Sequence, residues 1–157
     1  MMQMVKVLVV LLVLTQVSYA RGPRRWFSGH GGGRAYLSES ERNVDTSEVR
    51  EIEQQIVDSV NVERARYGFR PLVLVEGLLY SMRDHVAWMA RNRRMVHTAD
   101  PVAENIAEGQ QSVAEVMNSW LNSPGHRANL LNPNYTSIGV GVYVSEDNIP
   151  YWGQRFE

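Results

Sequence analysis

The sequence contains no cysteine. That excludes disulfides, thiolate metal sites, a thiol nucleophile and a lipid-modified cysteine at the end of an export signal. Metal chemistry, if any, falls to imidazole and carboxylate. Lysine is almost as scarce, since Lys6 is followed by an entirely arginine complement, 15 in all, against 17 acidic residues. The basic excess that accompanies nucleic-acid binding is absent. No uninterrupted apolar run approaches the ~20 residues that cross a bilayer. The longest, Val7 to Leu14, has eight. Also missing are a GxSxG elbow, an HExxH helix and a Ser-His-Asp order, so a conventional hydrolase is not indicated.

What is present begins with delivery. Met1 to Lys6 carries one positive charge, the apolar run follows, and Ser18-Tyr19-Ala20 is a small-x-small ending. This reads as a signal peptide, residues 1–20, cut after Ala20, in preference to a retained anchor. Residues 21–44 read as a flexible Gly/Arg-rich linker, because six glycines and prolines crowd its first thirteen positions and no apolar period runs through it. His30, flanked by glycines, reads as idle. One domain of roughly 110 residues remains, from 45 to 157, long enough to live on its own core.

Within that domain, Asp45 and Glu48 have the spacing of a capping box. Val49, Ile52, Ile56, Val60 and Val62 then recur at helical intervals to about Arg66, and Gly68 stops the helix. Phe69, Pro71, Leu72 and Leu74 read as a turn with buried anchors. A second helix is expected from Val75 or Glu76 to about Arg91, with Leu78, Leu79, Met82, Val86 and Met89 inward. His85 lies one residue off that face and reads as a structural histidine held by a hydrogen bond.

Met95 to Gln111 shows no period and reads as a long irregular connection, a kind of segment that often carries function. Ser112 and Glu115 make a second capping box before Val113, Val116, Met117, Trp120 and Leu121. Ser123-Pro124 then opens a short helix ending near Leu131, with His126 in its first turn. That position biases the imidazole toward its neutral form. Thr136 to Val144 alternates as a strand, Gly139 and Gly141 leaving one face open to close approach, and Ile149 to Phe156 returns with Tyr151 and Phe156 inward. Three helices, a short fourth and an antiparallel hairpin give an α+β layered domain.

His97, Glu104 and His126 are the candidate chemistry: two imidazoles and a carboxylate, the side chains that ligate zinc-like metals or move protons near neutrality. Their spacing places no two on one helical face, so the fold must bring them together.

The chain resembles the CAP superfamily, the SCP-like domain of cysteine-rich secretory proteins, antigen 5 and plant pathogenesis-related 1 proteins, in its bacterial, cysteine-free branch. The residues that carry the likeness are Asn61-Val62-Glu63-Arg64 with Gly68 and Pro71-Leu72, Ala103-Glu104-Asn105-Ile106-Ala107, Trp120 with Ser123-Pro124-Gly125-His126-Arg127, Ile138-Gly139-Val140-Gly141 and Tyr151-Trp152-Gly153-Gln154-Arg155-Phe156. The resemblance implies a three-layer α-β-α sandwich around a central antiparallel sheet. It also implies a cleft in which His97, His126 and Glu104 hold zinc or another divalent metal. Two departures stand out. Ala103 replaces the usual glycine of the acidic turn, and Asn122 stands where a second acid is expected, with Glu115 across Trp120 a weak substitute. Asn122 and Glu115 complete the expected ligand cleft.

Two functions follow as expectations. One is a secreted or cell-envelope binding module, non-catalytic and monomeric, that takes a metal, a small ligand, a lipid or a partner's segment, and no nucleic acid. The other is a metal-dependent hydrolase with Glu108 or Glu115 as general base. A third reading gives the polar residues a purely structural role, tying the loop to the helix.

Overall fold

A computed structural model describes residues 47–157. The expected signal peptide and linker lie outside the described residues, and so does the Asp45 end of the expected capping box. The first helix, α1 (Ser47–Arg66), buries Ile56, Val57 and Val60. Gly68, at φ +70°, turns the chain, a conformation that a Cβ would strain. Val62, expected inside, is 57 % exposed, because position 62 has rotated past the stripe set by Ile56 and Val60. Asn61 fixes the turn that follows by exchanging two hydrogen bonds with the Leu72 backbone, at 3.0 and 2.7 Å.

Leu72 is buried, but Leu74 is 36 % exposed. It belongs to a two-residue strand, β1 (Val73–Leu74), that pairs in parallel with the hairpin rather than anchoring a turn. Helix α2 (Glu76–Asn92) ends with Arg93 in the left-handed region. The connection expected to be irregular contains β2 (Ala103–Glu108). After it come α3 (Val113–Asn122), α4 (Pro124–Leu130), β3 (Ser137–Val144) and β4 (Pro150–Phe156). The Ser112 side chain accepts from the Glu115 amide at 3.2 Å, as its capping spacing predicts, while the Glu115 carboxylate takes the Gln111 amide at 2.8 Å.

The strands form one sheet in the order β1-β3-β4-β2. The β4 strand pairs antiparallel with both β2 and β3, and β1 makes the sheet mixed. Alternation sends Ile138, Val140, Trp152 and Phe156 toward α1, α3 and α4, where they join Val60, Leu72, Val116 and Trp120 in the larger core. Helix α2 covers the other face, with Met82, Val86 and Met89 against Ile106 and Tyr151. The result is the α-β-α sandwich.

The glycines explain how closely α2 lies. A Cβ built at Gly139 would stand 2.2 Å from the Leu78 carbonyl carbon, and one at Gly141 2.9 Å from the backbone at Met82 and Arg83. The open face read from the sequence is thus filled by the helix main chain.

On the opposite side Arg64 is fully buried. Its guanidinium donates to the carbonyls of Arg70, Leu130, Asn132 and Tyr135 at 2.8–3.3 Å. One side chain therefore binds the end of α1 to the segment between α4 and β3. Burial lowers its pKa from the ordinary value, yet a guanidinium remains protonated in proteins.

Gly139→Ala is expected to destabilise the domain by about 3 kcal/mol or to stop it folding, because neither the strand nor the helix backbone can give way. Gly77→Ala, in the first turn of α2 with nothing within 4 Å, is expected to be neutral or to stabilise by about 0.5–1 kcal/mol. Urea unfolding of the two variants beside the wild type checks both, and equal midpoints would refute the close approach.

Candidate functional site

Glu104 is the centre of the site because β2 points it, with Ile106, at the α2 face of the sheet. Only 6 % of it is exposed, so its charge needs partners. Oε1 accepts from His97 Nδ1 at 3.0 Å and from the Thr98 amide at 3.2 Å. Oε2 accepts from Arg155 Nε at 3.3 Å and Nη2 at 3.2 Å. Arg155 stands directly opposite on β4 and also donates to the Ser81 hydroxyl of α2. Strand, helix and loop are therefore tied together around one carboxylate.

The geometry fixes a tautomer. The carboxylate can only accept, so His97 Nδ1 carries a proton, and in the neutral ring the lone pair falls to Nε2. The ring is more than half exposed, which leaves Nε2 available. His85, on α2, lies with Nε2 3.8 Å from Glu104 Oε1 but donates to the Val96 carbonyl at 2.8 Å. It is the hydrogen-bonded structural histidine expected from its place on the helix, and it also borders the carboxylate. Its ring stacks on Trp88.

Positioning of His126 comes from the other face. Asn105, fully buried, donates from Nδ2 to the His126 carbonyl at 3.1 Å and to Gln154 Oε1 at 3.2 Å. Asn129 donates to Asn105 Oδ1 at 2.9 Å and to the Glu104 carbonyl at 3.3 Å. The start of α4 is thus tied to the edge strand that carries Glu104. The His126 pKa is lowered, first by burial and then by the nearby His97. The neutral form expected from the helix terminus is the favoured one, with desolvation as its leading cause. Burial likewise lowers the His85 pKa, against the pull of Glu104.

The other expected cleft residues are hydrogen-bonded within their own helix or its cap. Asn122 hydrogen-bonds back to Asn118 at 2.9 Å. Glu115 closes its own helix cap. Neither is hydrogen-bonded to His97, Glu104 or His126. Glu108 is hydrogen-bonded to Tyr151, whose pKa is raised mainly by burial and then by that carboxylate. Among the described residues no group of three or more His, Cys, Asp or Glu is disposed to hold a metal ion. Hydrogen bonds already take both oxygens of Glu104.

Reading the sequence for site residues passed over Arg155, Asn105, Gln154 and Asn129. The available signal was the alternation of β4, which puts Arg155 on an inward face where an unpaired cation would be costly. Beside the site opens a cavity of about 690 Å³ lined in part by Ile106, Trp120 and His126.

Residues 57–156 match the cysteine-rich secretory protein family, CAP. The uncharacterized protein YkwD of Bacillus subtilis (strain 168) is 36 % identical over 127 residues, 70 % of this chain and 48 % of its own. An extracellular protein containing an SCP domain from Bacillus anthracis is 28 % identical, with a TM-score of 0.61 over 72 % of this chain and 43 % of that one. An outer surface protein from Borrelia burgdorferi shares the fold, with a TM-score of 0.64 at 22 % identity over 69 % of this chain and 92 % of that one. The chain spans about half the length of YkwD and less than half of the Bacillus anthracis protein. Among the described residues no helix is long and apolar enough to cross a membrane.

The depressed histidines make stability pH-dependent. Both folded-state pKa values lie below the unfolded value of about 6.5, so the unfolded chain binds more protons between the two. The contribution is complete above about pH 6.5 and is lost as pH falls through the lowered folded values. Unfolding free energies of wild type and of a His85→Gln/His126→Gln double variant, measured from about pH 7.5 to 4.5, are expected to converge with acidity relative to their difference at neutrality. A constant difference across that range would refute the assignment.

Proposed function

The chain belongs to the CAP family of cysteine-rich secretory proteins, and from that premise we propose that it is an extracytoplasmic, non-catalytic binding module whose cleft presents two imidazoles, His97 and His126, to a divalent cation. The observation that carries this reading is the His97 Nδ1 to Glu104 Oε1 hydrogen bond. A carboxylate behind one ring nitrogen is the arrangement that orients a metal-binding histidine through its other nitrogen and raises its basicity. His126 contributes the second ring, its pKa lowered by burial and then by His97.

The donor set fits an open site rather than a closed one. His97 Nε2 and His126 would hold the cation, with Glu104 behind His97 as the orienting group. Two such residues would leave the cation exchangeable and open to a partner's carboxylate or carbonyl group. When bound, the cation supplies a positive centre for such a group.

Turnover is not part of this reading. The two carboxylates that sequence offered as general bases are spent, Glu108 on Tyr151 and Glu115 on its cap. Both oxygens of Glu104 are already engaged by His97, the Thr98 amide and Arg155. Export is proposed on the signal-like residues 1–20, with the Bacillus anthracis relative described as extracellular.

Titration of the untagged protein with zinc in a calorimeter is expected to give one weak site. His97→Ala and His126→Ala should each abolish it. Retention of wild-type binding by both variants refutes the cleft reading. A His97→Ala variant that unfolds at lower temperature, in a wild type that binds no zinc, establishes the structural role instead. The mass of the exported chain is expected to lack residues 1–20.

A further inference from the structure

We propose a second binding site, for an extended peptide segment that adds as a strand to the outer edge of β2 between Ile106 and Gln110. The site stands beside the imidazole pair, and the proposal holds whether or not that pair takes a cation.

The first argument is register. β2 is the last strand of the sheet, and the Gly109 amide donates to the Pro150 carbonyl at 2.8 Å. In an antiparallel ladder hydrogen-bonded and non-bonded pairs alternate. Counting back from Gly109, the residues that bond β4 are Ala107, Asn105 and Ala103. Glu104, Ile106 and Glu108 therefore aim their N–H and C=O groups away from the sheet. Neighbouring side chains take part of this edge. Asn129 donates to the Glu104 carbonyl at 3.3 Å, and Trp120 Nε1 donates to that of Ile106 at 3.4 Å. Among the described residues the outward amide of Ile106, a buried residue bordering the cavity, and both main-chain groups of exposed Glu108 are left toward the end of the strand.

The second argument is the space there. The cavity of about 690 Å³ takes Ile106 to Gln111 as one wall, with Met95, Trp120, His126 and Ile149 around it. That volume lies within the range of small-ligand sites. The third is Gln110. It lines the same cavity, and its Oε1 is buried without a hydrogen-bond partner among the described residues. An acceptor in that condition is waiting for a donor.

Only one common ligand class meets this set in order. An extended peptide brings a carbonyl for the Ile106 amide, a matched N–H and C=O for Glu108 and a further N–H for Gln110 Oε1, repeating at the strand's own period. An acyl chain supplies none of these, and a nucleic acid would bring negative charge beside Glu108. The main chain thus gives the affinity, while Met95 and Ile149 offer apolar contacts for alternate side chains of the guest.

The test starts from short linear peptides selected from a displayed library against the untagged protein. The selected sequence is synthesised and titrated into ¹⁵N-labelled protein. The amides of Ile106 and Glu108 are expected to shift and to gain protection from hydrogen exchange. Glu108→Pro removes an outward N–H without touching the β4 ladder and should weaken binding about tenfold, whereas Glu108→Ala keeps that N–H and should stay near wild type. Gln110→Leu, which leaves every strand bond in place, should lose roughly three- to tenfold. N-methylation of the peptide at alternate residues should abolish binding in one register and spare the other. His97→Ala should bind the peptide normally, which separates this site from the cation cleft. The proposal is overturned if selection yields no peptide, if Ile106 and Glu108 do not respond, if Gln110→Leu binds as tightly as wild type, or if peptide binding disappears with His97.

Discussion

No side chain larger than hydrogen fits between α2 and the sheet at positions 139 and 141, and that exclusion governs much else in the domain. Because the helix rests on main chain, Ser81 and His85 come down beside β4 and β2, where they meet Arg155 and Glu104. A helix held further out by ordinary side chains would leave the buried ion pair short of partners, and a buried carboxylate without them costs several kcal/mol. The apolar contacts of Met82, Val86 and Met89 stabilise the layer, while the glycines set its distance. Site geometry is therefore a consequence of sheet packing.

The two faces of β2 divide the labour. Glu104, pointing one way, gathers a loop histidine, a loop amide and an arginine. Asn105, pointing the other, gathers α4 through Asn129 and the His126 carbonyl. Successive residues on one strand thus bring together segments that lie far apart along the chain. Such satisfied polar interiors specify one arrangement of loops more sharply than apolar packing does.

Much of this was legible beforehand, and the reasons are local. The helical stripes of α1, α2 and α3, the Ser112 cap and the alternating hairpin all follow from periodicities of 3.6 and 2 that side-chain burial imposes. The family resemblance pointed to His97 and Glu104, which the fold brings into a hydrogen bond. What escaped was β2, since Ala-Glu-Asn-Ile-Ala-Glu has neither β-branched richness nor apolar alternation. Its strand character comes from pairing with β4, a tertiary effect that a local window does not contain. The same blindness hid Arg155. Asn122 and Glu115 entered through the family resemblance, and each spends hydrogen bonds on its own helix or its cap. Val62 and Leu74 went outward for a similar reason, one through helical rotation and the other through recruitment into β1.

Arg64 has a consequence for where such a domain can be made. Its guanidinium joins the end of α1 to the carbonyls that lead from α4 into β3, the work a covalent crosslink performs in small exported folds. A crosslink of that kind needs an oxidant to form and is lost to a reductant. The N–H donors of one cation ask for neither, so this tie is indifferent to the thiol balance of its surroundings.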